Sequence, residues 1–107
     1  MEAKPKQVEN YLDVNDESPF EKWMADLVGQ KIHGIILTRI ERVKRGLLGD
    51  WGPVGGGASE LIIDFGPGYR VYFGQDGDKV ILLSGGTKKG QAADIAAAKE
   101  YWRDYNA

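Results

Sequence analysis

Alternating apolar and polar positions predict three consecutive β-strands between residues 60 and 86. The apolar positions are Leu61, Ile63 and Phe65 in the first segment, Tyr69, Val71 and Phe73 in the second, and residues 80–83 in the third. Glycines occupy both connections, Gly66 and Gly68 in the first and Gly77 in the second, as turns with a positive φ require. Because such short connections join antiparallel neighbours, the pattern predicts an antiparallel meander.

The middle strand of this meander divides its side chains between the two faces of the sheet. Since successive side chains alternate, Arg70 and Tyr72 are predicted to lie opposite Tyr69, Val71 and Phe73. We expect the apolar face to be packed and the other face to be open and to present Arg70. An arginine on an open face would contribute little to folding and would be available to a ligand.

Apolar residues at helical spacing predict three helices. Ser18, Pro19 and Glu21 form a helix start with an N-cap and a capping box. A second helix is predicted over residues 31–45 and a third from Gln91 onward. The apolar stripes, which we expect to be core, are Phe20, Trp23, Met24 and Leu27 in the first helix, Ile32, Ile35, Ile36, Ile40 and Val43 in the second, and Ile95, Ala98, Trp102 and Tyr105 in the third.

These elements predict an α+β fold in one domain spanning residues 1–107. A small, mostly antiparallel sheet would be packed by an N-terminal two-helix hairpin and closed by the C-terminal helix. Residues 8–14 are a candidate first strand, and residues 1–6 are expected to be disordered. The glycine-rich residues 46–57 are expected to form an irregular connection into the sheet.

The composition argues against several kinds of site. The chain has no cysteine and a single histidine, His33, so no transition-metal set is expected. No segment matches a Walker loop or a dinucleotide-binding fingerprint, and we therefore predict no cofactor. The apolar runs are far shorter than the roughly 18 residues of a membrane span, which favours a soluble, cytoplasmic protein without a membrane partner.

Charge is distributed unevenly along the chain. The net charge is −2, yet residues 31–90 carry nine bases and six acids, which is compatible with a local anion site. Arg39 and Arg42 are predicted on the polar face of the second helix, and Lys88 and Lys89 precede the third, where the helix dipole also favours an anion. A solvated surface without a partner accounts for the same pattern equally well.

Several short motifs then follow one another in a recognisable order. The most specific are the run Gly68-Tyr69-Arg70-Val71-Tyr72-Phe73 and the pair Gly85-Gly86 followed by Lys88. The others are Phe20-x-x-Trp23, Arg39-Ile40, Gly49-Asp50, Val54-Gly55-x-Gly57, Glu60-Leu61 and Asp94-Ile95-x-x-Ala98. This succession resembles the phage-derived addiction-module killer proteins, a HigB-like group within the RelE/ParE toxin superfamily.

The resemblance implies a toxin of a type II toxin–antitoxin pair. Its activity would be that of a ribosome-dependent mRNA endonuclease, in which an RNA 2′-hydroxyl attacks the adjacent phosphate without a metal and translation stops. Such a reaction needs cations that stabilise the pentavalent phosphate and a group that moves protons. The residues implied are Arg70, Lys88 and Tyr72 as catalytic groups, and Lys89, Arg39 and Arg42 as RNA- or phosphate-binding groups.

The implied partners are a small helix-turn-helix antitoxin, the ribosome and mRNA, with operator DNA contacted only through the antitoxin complex. Two positions depart from the group's usual pattern. Ile62 stands where an arginine is usual, and Trp51 follows Gly49-Asp50 where a lysine is usual. Two other functions therefore stay open: a gyrase-targeting binding toxin like the ParE branch, and a domesticated, non-catalytic protein that only binds its antitoxin.

Overall fold

An antiparallel meander built from residues 58–87 forms the centre of the sheet, which confirms the prediction from alternation. The computed structural model describes residues 3–107. Its strands are β1 (Gln7–Asn10), β2 (Trp51–Gly55), β3 (Ala58–Ile63), β4 (Tyr69–Asp76) and β5 (Lys79–Thr87). Its helices are α1 (Pro19–Asp26), α2 (Gln30–Lys44) and α3 (Gln91–Tyr105), the last preceded by a 3-10 turn (Lys88–Gly90).

The five strands lie in the order β1-β5-β4-β3-β2. Strand β1 runs parallel to β5, and every other neighbouring pair is antiparallel. The α+β class and the mostly antiparallel sheet are therefore confirmed. Strand β1 overlaps the predicted first strand of residues 8–14 only over residues 8–10, since it begins at Gln7 and ends at Asn10.

Helices cover both faces of this sheet. On the first face, Tyr69, Val71 and Phe73 of β4 pack with the buried residues of α1 and α2. On the second face, Tyr72 packs with Trp102 and other residues of α3. The alternation of side chains is thus as predicted, but the expectation of an open second face is wrong. The sequence pattern assigned side chains to each face of the sheet, but it contained no information about which helix would cover which face.

The start of α1 has the predicted cap with one difference. The Ser18 hydroxyl accepts a hydrogen bond of 3.0 Å from the Glu21 backbone N–H, and Pro19 is the first helical residue. The Glu21 carboxylate does not close the capping box, since it accepts a hydrogen bond of 3.0 Å from the Asn10 side chain. This contact joins the start of α1 to the end of β1.

Two tryptophans lie directly on glycines of the sheet. Trp23 of α1 covers Gly85 of β5, and Trp102 of α3 covers Gly74 of β4 from the opposite face. A methyl group on either glycine would overlap the indole ring, so only glycine permits this close approach. Each helix therefore has one point of especially close approach, where an indole ring lies on bare backbone.

The expected irregular connection over residues 46–57 is wrong in part. Residues 51–55 form β2, which pairs with β3 as a hairpin. Gly56 and Gly57 have φ values of 64° and 88°, the left-handed conformation that a type I′ turn requires at both positions. Proline and glycine in this segment argue against a central strand, but β2 is the outermost strand of the sheet, where proline is tolerated.

Residues 1–6, expected to be disordered, contact the end of α2 where the structure describes them. Met1 and Glu2 lie outside the described residues. The Lys6 backbone N–H donates a hydrogen bond of 2.8 Å to the Lys44 carbonyl. The segment leading into β1 is thereby fixed against α2.

Candidate functional site

Arg70 lies on the second face of the sheet, beneath the start of α3. Its side chain is 13% exposed, and its Nε atom lies 3.5 Å from Oε1 of Glu60, which is equally buried. Its Nη1 donates a hydrogen bond of 3.1 Å to the Tyr69 carbonyl. Glu60 also accepts a hydrogen bond of 3.1 Å from the Gln91 side chain of α3. Arg70 therefore neutralises a carboxylate that folding removes from water.

Tyr72 is fully buried, and this prevents it from stacking on a nucleic-acid base. Its hydroxyl is inaccessible to solvent and has no hydrogen-bond partner in the described part of the chain. Burial, followed by the nearby charges of Glu60 and Asp94, raises the pKa of Tyr72 to about 12, against the opposing influence of Arg70. The hydroxyl is thus protonated at neutral pH and faces all three charged groups.

A β-bulge brings a second hydroxyl to this face. Tyr72 pairs with Ser84 and Phe73 pairs with Leu82, so Leu83 is the extra residue of β5. The Ser84 hydroxyl is buried and, like that of Tyr72, lacks a hydrogen-bond partner within residues 3–107. Buried polar atoms without partners are uncommon in proteins, and they indicate hydrogen-bonding capacity that the fold itself does not use.

Asp94, in the first turn of α3, supplies the second carboxylate. Its Oδ2 lies over the backbone at Gly86, which is directly opposite Arg70 in the β4–β5 pairing. On its other side, Oδ2 is 3.2 Å from the point where a Cβ on Gly90 would lie. Burial alone raises the pKa of the Asp94 carboxyl above its ordinary value. We call the group Glu60, Arg70, Tyr72, Ser84 and Asp94 the polar patch.

Lys88 lies at the rim of the polar patch, close to Arg70. The point where a Cβ on Gly68 would lie is 3.4 Å from the Lys88 Cβ and 3.9 Å from Arg70 Nη1. The Lys88 backbone N–H donates to the Gly68 carbonyl at 3.1 Å, which fixes the turn before α3 to the turn before β4. Lys89 follows in the same turn and is exposed. The turn before α3 and strand β4 thus bring the side chains of Lys88 and Arg70 close to each other beside Gly68.

An uncharacterized protein of Haemophilus influenzae is 44% identical to this chain over 89 residues. The match covers 82% of this chain and 90% of the Haemophilus protein. This chain belongs to the family of that protein. No protein-family model and no solved structure matches the chain. The relationship therefore establishes a family and no activity.

Arg39 of α2 lies on the first face and is not part of the polar patch. Its Nε and Nη2 donate to the Leu48 carbonyl at 3.1 and 3.0 Å, and its Nη1 donates to the Ile62 carbonyl at 2.7 Å. Nη2 also donates to the Asp50 carbonyl. Burial lowers the pKa of Arg39 from its ordinary value, although the side chain stays protonated. The guanidinium joins α2 to the connection before β2 and to the end of β3.

Arg42 lies one helical turn further along α2 and is exposed. With Arg39 and Lys31 it lines an open cleft of about 550 Å³ between α2 and the end of β3. Ile35, Ile63 and Phe65 line the same cleft, and the Lys31 ammonium lies 5.5 Å from the centre of the Phe65 ring. Arg42 and Arg39 therefore belong to a separate cationic surface on the first face, away from Arg70 and Lys88.

Metal binding and membrane insertion were considered for the same described residues. Within residues 3–107, no cluster of three or more histidine, aspartate or glutamate side chains is arranged to hold a metal ion. His33 hydrogen-bonds through its Nε2 to the Leu27 carbonyl at 2.6 Å. No helix in the described part of the chain is long and apolar enough to cross a membrane.

Sequence reasoning did not identify Glu60, Ser84 or Asp94 as members of the site, although Glu60 and Asp94 stand in motifs of the resemblance. Each looks ordinary in the sequence: a serine ending an apolar strand and acids in a strand and at a helix start. One signal was available. Gly86 and Gly90 flank the segment that leads into α3, and glycines near a helix start permit close approach of a side chain to backbone.

Proposed function

We propose that this protein is the toxin of a type II toxin–antitoxin pair and a member of the RelE/ParE superfamily that cleaves mRNA on the ribosome. The observation that carries the proposal is the proximity of the Arg70 guanidinium to the Lys88 side-chain stem: Arg70 Nη1 and the Lys88 Cβ and Cδ all lie within 4 Å of the position of a Cβ on Gly68. These are the two cations that the motif resemblance names as catalytic. Their proximity is what binding of one phosphodiester by both would need.

The proposed reaction is attack of an RNA 2′-hydroxyl on the adjacent phosphate. Arg70 and Lys88 would stabilise the charge that develops on the phosphate oxygens, and the exposed Lys89 would bind a neighbouring phosphate. Tyr72, which the resemblance names as catalytic, would act from beneath the site by donating its buried hydroxyl to a group above it. Arg39 and Arg42 would contact RNA only at the separate cleft on the first face.

We also propose a RelE-like arrangement of the helices and a set of binding partners. Helices α1 and α2 would form the two-helix hairpin of a RelE-like domain, and the domain would be bound by a helix-turn-helix antitoxin. The ribosome and mRNA would be the targets in the cytoplasm, and operator DNA would be reached only through the antitoxin complex.

Regulated expression of the chain alone tests this function. We expect growth arrest, new mRNA 5′ ends at codon positions inside translated genes, and relief by the antitoxin gene. Lys88→Ala should abolish arrest, because the lysine charge is lost at an exposed position where folding does not need it. Lys79→Ala is the matched control, since Lys79 is an exposed lysine at the opposite end of β5. Normal colony formation with soluble wild-type protein would refute the proposal.

The burial of the polar patch favours a second candidate, a toxin or antitoxin-binding protein that has no catalysis of its own. Arg70 is already paired with Glu60, and the Tyr72 hydroxyl is inaccessible to solvent. A gyrase-targeting protein would stop growth with intact mRNA and broken DNA. A protein that only binds its antitoxin would leave growth, mRNA and DNA unchanged.

A further inference from the structure

Two carboxylates of the polar patch lie in unlike surroundings. Glu60 has Arg70 Nε at 3.5 Å and accepts a hydrogen bond from Gln91 at 3.1 Å, so a cation and a neutral donor both lie against its carboxylate. Asp94 has neither kind of partner within residues 3–107 and lies against the backbone of Gly86 and Gly90. Two titratable groups in one site with opposed environments are typical of an acid and a base.

The other polar groups of the patch lie next to one another on β4 and β5. Arg70 is opposite Gly86 and Tyr72 is opposite Ser84 in the β4–β5 pairing, so all four contribute to one strip of the sheet. Arg70 Nε and the Tyr72 and Ser84 hydroxyls are buried and without hydrogen-bond partners in the described chain. The Tyr72 and Ser84 hydroxyls are donors that the described part of the fold does not use, while Arg70 Nε has only the Glu60 carboxylate at 3.5 Å. The two unused hydroxyls are a second sign that this patch takes a polar group.

We propose that Glu60 and Asp94 are the proton-transfer pair of this site, Glu60 as the general base and Asp94 as the general acid. The inference rests on the proposed function and deepens it, because the motif resemblance assigns no such pair. The Glu60 carboxylate lies 3.5 Å from Arg70 Nε and would be the group that accepts the proton. Asp94 has no cation to hold its charge and can deliver one.

The proposed reaction takes place at a single phosphodiester of RNA. Glu60 takes the proton of the 2′-hydroxyl as the 2′-oxygen forms its bond to phosphorus. The bond from phosphorus to the 5′-oxygen breaks, and that oxygen receives the proton of Asp94. The products are a 2′,3′-cyclic phosphate and a 5′-hydroxyl end. Proton exchange with water then returns both carboxyl groups to their starting states.

The test is single-turnover cleavage of a defined mRNA on purified ribosomes by the full-length protein, measured from about pH 5 to pH 9. The charged and titratable groups that face the pair are Arg70 and Tyr72 of β4, with Lys88 at the rim. We expect Asp94→Asn to lower the cleavage rate by about 100-fold and to remove the fall in rate at high pH. We expect Glu60→Gln, folded as judged by circular dichroism, to lower the cleavage rate by a similar factor.

Two further variants separate catalysis from structure. Gly86→Ala should reduce the rate as Asp94→Asn does, because the added methyl overlaps the Asp94 carboxylate, and combining the two should cost no more than either alone. Glu100→Gln, at an exposed position of the same helix, should leave the rate unchanged. Wild-type cleavage with an unaltered rate and pH profile in Asp94→Asn would overturn this inference alone. Failure of the wild type to cleave would overturn the proposed function and the inference together.

Discussion

Tyr11 and Asp104 join the beginning of the chain to its end. The Tyr11 hydroxyl donates a hydrogen bond of 2.5 Å to the Asp104 carboxylate, across 93 positions of sequence. The Tyr11 ring also stacks on Tyr101, with ring centres 5.2 Å apart. Burial, followed by the hydrogen bond and charge of Asp104, raises the pKa of Tyr11 far above its ordinary value. The last turn of α3 therefore depends on a residue that follows β1.

Tyr11→Phe should lower the free energy of unfolding by about 1–2 kcal/mol at neutral pH, because a hydrogen bond to a charged acceptor is lost. The raised pKa means that the folded state holds this proton more tightly than the unfolded state. The contribution is therefore complete below pH 10 and is lost as the pH rises through the folded pKa. Urea unfolding at a series of pH values measures it. A difference between wild type and variant that does not shrink in strong base would contradict the assignment.

Arg70→Ala should destabilise the protein by about 3 kcal/mol, because it leaves the Glu60 carboxylate buried without a cation. The double variant Arg70→Ala with Glu60→Gln should recover part of this loss, since the unpaired charge is then gone. Denaturant unfolding of the two single variants and the double variant gives the coupling between them. If Arg70→Ala alone unfolds at the wild-type denaturant concentration, the pair is too solvated to matter for folding.

Asp94→Asn should stabilise the fold at pH 7 by about 0.5 kcal/mol, once solvent screening is allowed for. Burial raises the folded pKa of Asp94, so its ionisation costs free energy as the pH rises through that value. Below the ordinary pKa of aspartate the wild-type carboxyl is neutral in both states, and the advantage of asparagine should disappear. Thermal unfolding at acid and neutral pH measures both limits. A stabilisation that persists in strong acid would have a cause other than ionisation.

Arg39→Lys should lower the free energy of unfolding by about 1–2 kcal/mol, because a single ammonium cannot serve the Leu48, Ile62 and Asp50 carbonyls together. Arg42→Lys is the matched control, since Arg42 is exposed on the same helix and should change stability by less than about 0.5 kcal/mol. Equilibrium unfolding of the two variants compares them directly. Equal stability of both would mean that the carbonyl contacts of Arg39 contribute nothing.

The meander and the three helices could be predicted from sequence because their signals are local. Alternation assigned Tyr69 and Tyr72 to opposite faces, and helical spacing located the buried Ile36 and Trp102. Strand β2 was missed because Pro53 and its glycine neighbours are poor strand formers in isolation. Its pairing with β3 overrides that preference, since tertiary context decides such short segments.

The candidate site could be predicted only in part. Arg70 and Lys88 carried a motif, and the structure places them together. Glu60 and Asp94 stand in two of the less specific motifs and Ser84 in none, and no site role followed for them because the alternation of a strand cannot show that a helix will later cover one of its faces. The burial of Tyr72 follows from the same covering helix, whereas the pairing of Arg70 with Glu60 follows from the neighbouring positions of β3 and β4.

Strand β2 also determines how this sheet can meet other chains. Pro53 has no N–H to offer along its outer side, and β1, at the opposite border, is only four residues long. Neither border is a suitable template for another strand, which protects the protein against sheet-to-sheet aggregation. Recognition by β-augmentation is disfavoured for the same reason. A binding partner would therefore be held through side chains and not by adding a strand to the sheet.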